Sequence, residues 1–262
     1  MGLFDTHAHY DDERFDDCRN TIIEGLRLKN DVNPLGVSLV VNSASGYSSS
    51  EKAILLSEQY DFIYATVGVH PHEASDVGDE LEDKIKELIS HPKAVAIGEI
   101  GLDYHYEDSA PREVQKDIFR RQMQLAYELN KNVVVHDREA HGDCMEIVKE
   151  YKDKVIGVFH SFSGSFEMAQ ELMRYGWYVS FSGTVTFKNA SNILRSVLAV
   201  SDDRLLIETD SPYLAPVPYR GKTNNSAYVY ETAKKIAEIR GKSVEYIAEL
   251  TMNNGKRFFN ID

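Results

Sequence analysis

The 262-residue sequence holds two cysteines, seven prolines, one tryptophan and 29 basic against 42 acidic side chains. Each scarcity excludes something. Cys18 and Cys144 are too few for a disulfide framework and share no metal-finger spacing, so both read as reduced thiols. No apolar run approaches the roughly 18 residues of a membrane span, and Met1-Gly2-Leu3-Phe4-Asp5 lacks the basic and apolar regions of a signal peptide. The expected location is therefore the cytoplasm, without membrane attachment. A net charge of −13 repels polyanions over about 8–10 Å, which argues against a broad nucleic-acid clamp. No linker rich in Pro, Gly or Ser separates domains, and no short repeat or low-complexity tract occurs. One domain spanning 1–262 is expected.

Gly-rich phosphate loops are missing too. The turn after the first apolar run reads Thr6-His7-Ala8-His9-Tyr10, and the fragments Gly221-Lys222-Thr223 and Gly241-Lys242-Ser243 have Pro216 and Ile236 where a Walker A loop needs glycine. No Gly-x-Ser-x-Gly elbow offers a serine nucleophile.

What the chain does have is rhythm. Short apolar runs near 2–8, 36–42, 62–68, 93–99, 132–136, 155–160, 177–182 and 204–208 alternate with amphipathic stretches near 12–29, 48–59, 79–90, 111–130, 139–151, 165–175, 189–199 and 227–240. A last helix is expected around 243–253. Phe15, Cys18, Ile22 and Leu26, and likewise Val114, Ile118, Leu125 and Leu129, recur at helical spacing as apolar stripes. Eight such cycles predict an α/β (βα)8 TIM-type barrel, with a doubly wound open sheet as the rival.

Polar residues terminate the apolar runs. His7 and His9 are two apart on one strand face, Glu99 ends Ala96-Ile97-Gly98, His136 ends Val133-Val134-Val135, His160 follows Val158-Phe159, and Asp210 follows Glu208-Thr209. In a barrel these six converge at the carboxyl-end mouth, where unpartnered polar groups would cost several kcal/mol. Four imidazoles and two carboxylates suit zinc, manganese or similar ions. Two divalent ions (+4) against Glu99, Asp210 and one hydroxide (−3) leave the pocket net positive, and the expected reaction class is hydrolysis by activated water.

At this point the sequence resembles the TatD-like metal-dependent hydrolases and deoxyribonucleases of the amidohydrolase group. Six blocks carry the likeness: Asp5-Thr6-His7-Ala8-His9, Gly68-Val69-His70-Pro71-His72, Gly98 to Tyr104, His160-Ser161-Phe162-Ser163-Gly164, Gly183 to Asn189, and Glu208 to Leu214. The resemblance implies that His7, His9, Glu99 and Asp210 serve one metal and Glu99, His136 and His160 another, with Glu99 bridging. It further implies cleavage of DNA phosphodiesters from a 3′ end, with Mg²⁺, Mn²⁺ or Zn²⁺. Two departures stand out: Ser161 replaces the usual Cys, and Asn225-Ser226 replaces a usual Glu-Pro.

Within this frame Asp210 is the expected general base and Glu99 the second catalytic carboxylate. Asp5, on the same strand face as His7, is expected to orient a ligand. His70, His72, Tyr104, His105, Arg138, Arg220 and Lys222 fall on loops at the same rim and are expected to hold phosphate oxygens. His91 and His141 read as structural and surface residues. The expected partner is DNA as a single strand or an end, bound weakly and with strong salt dependence. An aminoacyl ester (as on D-aminoacyl-tRNA), amide or lactone would need the same six ligands. A metal-free glycosidase using Glu99 and Asp210 would leave four histidines without purpose, and a metal-stabilised scaffold would bind ions without turnover.

Overall fold

A computed structural model describes residues 2–106 and 109–262. In chain order the elements are β1 (Leu3–Ala8), α1 (Arg19–Gly25), β2 (Val37–Asn42), α2 (Tyr47–Gln59), β3 (Ile63–Val67), α3 (Leu81–Ile89), β4 (Ala94–Asp103) and α4 (Arg112–Leu129). They continue through β5 (Val133–Arg138), α5 (His141–Tyr151), β6 (Gly157–Phe159), α6 (Phe166–Arg174), β7 (Tyr178–Phe181), α7 (Ser191–Ala199), β8 (Leu205–Ile207), α8 (Val229–Arg240) and α9 (Val244–Phe259). Eight parallel strands in chain order, each followed by a helix, make the TIM-type (βα)8 fold that the alternation predicts. The chain forms two compact units, Met1–Asn42 with His160–Asp262, and Ser43–Phe159.

In the first unit all six side chains of β1 are buried, as expected of a parallel strand covered on both faces. α9 packs on β1: Phe4 meets Phe259 at a ring separation of 5.9 Å, and Phe258 lies 4.9 Å from Tyr178. Ser165 and Ser243 cap α6 and α9 by accepting the Met168 and Tyr246 N–H groups, and Gly176 takes the left-handed conformation just past the end of α6 (φ +73°).

The first expected helix is broken. A three-residue 3₁₀ turn (Glu13–Phe15) precedes α1, because the Asp12 carboxylate accepts the Arg14 N–H at 2.8 Å and the Arg19 guanidinium bonds the carbonyls of Tyr10 and Asp12. Ile23 rather than Ile22 is the fully buried position. α9 runs six residues beyond the expected end, to Phe259.

In the second unit β4 runs four residues past the expected end and carries Glu99, Gly101 and Asp103 on one parity. Gly101 (φ +137°) pairs with His136, and a Cβ there would stand 2.0 Å from the His136 carbonyl oxygen. The inner face of α4 departs from the apolar stripe. Val114 is exposed, whereas Gln115 and Gln122 are buried and grip main chain. Gln115 accepts the Asp103 N–H (2.9 Å) and donates to the Asp103 and Ala110 carbonyls, while Gln122 accepts the Val69 N–H (2.8 Å) and donates back to its carbonyl. Two helix side chains thus pin the backbone at Asp103 and next to His70.

The packing of α9 on β1 makes a sharp prediction. A Cβ at Gly255 would lie 2.5 Å from Cδ1 of the fully buried Phe4 ring, whereas one at Gly142 would meet nothing within 4 Å. Gly255→Ala is expected to lower stability by about 1–3 kcal/mol. Gly142→Ala is expected to be neutral or to stabilise by up to about 1 kcal/mol. Urea denaturation midpoints of the two variants check this.

Candidate metal-dependent active site

In the first unit β1 delivers His7, the residue just past its end is His9, and the turn after β8 delivers Asp210. The Nε2 atoms of His7 and His9 are 3.2 Å apart and approach Asp210 Oδ1 to 3.8 and 3.3 Å. The His7 ring stacks on that of His160 at 3.9 Å, and ligand atoms of His7, His160 and Asp210 all lie within 4.8 Å of one another. Asp210 itself adopts the left-handed region (φ +58°), which aspartate tolerates. Its N–H donates to the His7 carbonyl at 2.9 Å, and Asn224 clamps the turn by donating to the carbonyls of Thr209 and Tyr213. Burial acts to raise the Asp210 carboxyl, but the His9 hydrogen bond and the His160, His7 and His9 imidazoles outweigh it and leave the carboxyl below its ordinary range.

Two carboxylates stand behind these groups. Glu208, fully buried, faces His160 Nδ1 at 3.3 Å and accepts the Ser161 N–H at 2.7 Å. Asp5 accepts the Thr209 N–H and hydroxyl at 2.8 and 2.6 Å, and burial pushes its carboxyl up to about 7. The sequence reading gives Asp5 the task of orienting a ligand ring. Its bonds instead go to the Thr209 backbone and hydroxyl, and more weakly to the His7 N–H at 3.4 Å, so it fixes strand ends rather than an imidazole. Ser226, one of the two departures from the family pattern, bonds the Tyr10 hydroxyl through both its N–H and its Oγ. Asn225 caps the turn at Ala227.

In the second unit β4 and β5 bring Glu99 and His136 together, Nδ1 to Oε2 at 3.5 Å, and His70 joins them, its ring 4.4 Å from that of His136. Ligand atoms of His70, Glu99 and His136 lie within 4.8 Å of one another. His136 Nε2 faces Asp103 Oδ2 at 3.0 Å, and His72 Nε2 faces the same oxygen at 3.2 Å. Burial would raise the Asp103 carboxyl, but those imidazoles and the His105 N–H hold it well below the usual range. Burial also lowers the His70 imidazole well below its ordinary value, helped by His136, so the ring is neutral. Its Nδ1 accepts the His72 N–H at 3.2 Å, which leaves the ring proton on Nε2 as a donor.

Asp103 and Glu208, the carboxylates facing His136 and His160, are the positions that residue-by-residue reading passes over. Both lie inside the motif blocks, and strand parity was the available signal: Asp103 shares a face with Glu99 and Glu208 with Asp210. The other expected rim residues each have a local partner, a carboxylate for Tyr104 and His105 and an aromatic ring for Arg138, Arg220 and Lys222. The Tyr104 hydroxyl donates to Asp143 (2.7 Å), with Arg112 over its ring, and His105 pairs with Glu139. Arg138 lies over the Tyr106 ring and donates to its hydroxyl, Arg220 lies 4.0 Å over Phe187, and Lys222 lies over Tyr219. His91 contacts Glu58, and His141 pairs with Asp137 at 2.7 Å.

The profile of the family described as TatD related DNase matches residues 4–260. The chain belongs to the TatD-related DNase family. It is 43% identical to the uncharacterized metal-dependent hydrolase YabD of Bacillus subtilis (strain 168), over 99% of this chain and 100% of that protein. It is 34% identical to the 3'-5' ssDNA/RNA exonuclease TatD of Cronobacter sakazakii, over 98% and 97%. Among solved structures, YJJV, a TatD homolog from Escherichia coli K12, superposes with a TM-score of 0.90 at 25% identity, covering 99% of this chain and 98% of that one. This TatD-family chain is thus a metal-dependent hydrolase. Among the described residues no helix is long and apolar enough to cross a membrane.

The donor chemistry fits the metal that the family implies. A ligating imidazole characteristically gives its second nitrogen to a carboxylate, and that pairing occurs in both units, at His160–Glu208 and His136–Asp103. Nitrogen and carboxylate donors of this kind suit zinc or manganese.

One pH dependence follows from the second unit. The Asp137 hydrogen bond holds the half-exposed His141 imidazole above its ordinary value, against partial burial. The folded chain therefore binds that proton more tightly than the unfolded one. The resulting stability is complete below about pH 6.5 and is lost as pH rises through the raised value. Wild type is expected to exceed His141→Ala most in urea midpoint at pH 5.5, with the gap closing by pH 9. An equal gap at both pH values would assign it to packing.

Proposed function

We propose that this metal-dependent hydrolase acts in the cytoplasm on DNA, cleaving phosphodiester bonds from the 3′ end of a single strand, with two divalent ions of zinc, manganese or magnesium. One observation carries the reading. Imidazole and carboxylate donors cluster within each of the two units, in a chain 34% identical to a relative named as a ssDNA/RNA exonuclease. His7, His9, His160 and Asp210 form one donor set, which departs from the resemblance by grouping His160 with His7 and Asp210, and Glu99 with His136 forms the other. The unpaired thiols of Cys18 and Cys144 suit a reducing compartment.

A divalent ion in such a set supplies Lewis acidity toward water and toward a phosphoryl oxygen. The chain's own groups do the rest. Asp210, ionised at neutral pH, takes the proton of the attacking water at a carboxylate oxygen. Glu99 supplies fixed negative charge beside His136. Neutral His70 donates from Nε2 to a non-bridging oxygen, and Arg138 and Arg220, propped on aromatic rings, supply forked donors to neighbouring phosphates. Tyr104 and His105 are committed to Asp143 and Glu139 and take no part in this reading.

The test is hydrolysis of end-labelled single-stranded DNA with added Mn²⁺. Asp210→Asn is expected to lower kcat by at least about 10²-fold with an unchanged circular dichroism spectrum, and EDTA to abolish wild-type turnover. Wild type that ignores DNA yet cleaves aminoacyl-tRNA or a small lactone in the same buffer would overturn the nuclease assignment.

A further inference from the structure

Beside the His9–Asp210 donors stands a cluster around Tyr213, a residue of the Glu208 to Leu214 block to which the sequence reading gives no role. Tyr213, in the turn after β8, keeps 41% of its surface in solvent. It is nonetheless held on three sides. Its hydroxyl donates to Asp12 Oδ2 at 2.8 Å, its ring meets His9 edge-on at 6.1 Å, and the Arg14 guanidinium lies 4.6 Å over its face. Its N–H also donates to the Asp210 carbonyl at 2.9 Å, so the ring and the donor carboxylate belong to one turn.

Arg14 is the odd member of a strongly acidic stretch. Asp11, Asp12, Glu13, Asp16 and Asp17 surround it in sequence, yet among the described residues no carboxylate lies within ion-pair distance of its guanidinium. Three of these carboxylates are committed elsewhere. Asp12 accepts the Tyr213 hydroxyl and the Arg14 main-chain N–H, Asp16 pairs with Arg19 at 2.6 Å, and Asp11 accepts from Asn42. By contrast Arg120, Arg121, Arg204 and Arg240, away from the donor groups, each pair with a carboxylate. A guanidinium stacked on a ring keeps its edge N–H donors free for an anion, and an immobilised ring loses little freedom when a flat group settles on it.

We infer that Arg14 and Tyr213 form a nucleotide-contacting subsite, in which the open surface of the Tyr213 ring carries a base and the guanidinium holds the adjoining phosphate. The inference rests on the nuclease reading above and adds to it the residues that favour a nucleic-acid strand over a small ester. Base stacking on an aromatic ring tolerates any sequence, so the subsite selects single-stranded nucleic acid without selecting its bases. A single free cation among acidic neighbours grips one phosphate, which suits a strand end better than a long duplex.

The experiment compares metal-loaded wild type, Arg14→Gln, Tyr213→Ser and Tyr213→Phe on a labelled single-stranded oligodeoxynucleotide and on bis(p-nitrophenyl) phosphate, a phosphodiester without base or neighbouring phosphate. Arg14→Gln and Tyr213→Ser are expected to raise the oligonucleotide KM about tenfold. The ratio of oligonucleotide to small-ester kcat/KM falls by the same factor, and Tyr213→Phe recovers most of it. Arg14→Gln is also expected to reduce the slope of log KM against log salt by about 0.7. A ratio within twofold of wild type for both disruptive variants, or an equal loss on both substrates, overturns the subsite while leaving the nuclease reading intact. Wild type that turns over the small ester but no oligonucleotide defeats the nuclease reading, and the subsite with it.

Discussion

A neutral imidazole has one proton and one lone pair, and a carboxylate facing one nitrogen decides which side each occupies. That constraint governs both units. Glu208 behind His160 and Asp103 behind His136 take the N–H and turn the remaining lone pair toward the other donors. Much else in the fold serves these pairs. Gln115 pins the Asp103 backbone, Gly101 leaves room for the His136 carbonyl, and Asp5 and Asn224 lock the strand ends from which His7 and Asp210 project. His70 shows the converse: its Nδ1 accepts the His72 N–H, so the ring proton sits on Nε2.

The electrostatics follow a consistent division. The chain carries a net charge of −13, and Arg120, Arg121, Arg204 and Arg240 each pair with a carboxylate. Arg14, Arg112, Arg138 and Arg220 lie over Tyr213, Tyr104, Tyr106 and Phe187 instead. A ring face attracts the cation without cancelling its charge.

Much of this was legible before any coordinates. Strands buried on both faces must be written as continuous apolar runs, so Val133-Val134-Val135 and Leu205-Leu206-Ile207 stand out, and a polar residue ending such a run is conspicuous. His7, His9, Glu99, His136, His160 and Asp210 were found that way. Less legible was α4, where buried glutamines occupy positions that an apolar stripe would assign to leucine, because their amides bond main chain that the pattern cannot see. The break between Glu13–Phe15 and α1 was hidden for a similar reason. Asp12 and Arg19 redirect the backbone through side-chain bonds, against a periodicity that would have continued the helix.

The sequence by itself determined the (βα)8 alternation and which residue types end each strand, since both are written in nearest-neighbour periodicity. Tertiary structure alone decided the partners: Glu208 for His160, Asp103 for both His136 and His72, and a Tyr213 ring bonded to an aspartate 201 residues away. The reason is geometric. A hydrogen bond or a stacking contact is fixed by ångström-scale distance and direction between chain-distant atoms, and periodicity carries information only about which face a side chain leaves from.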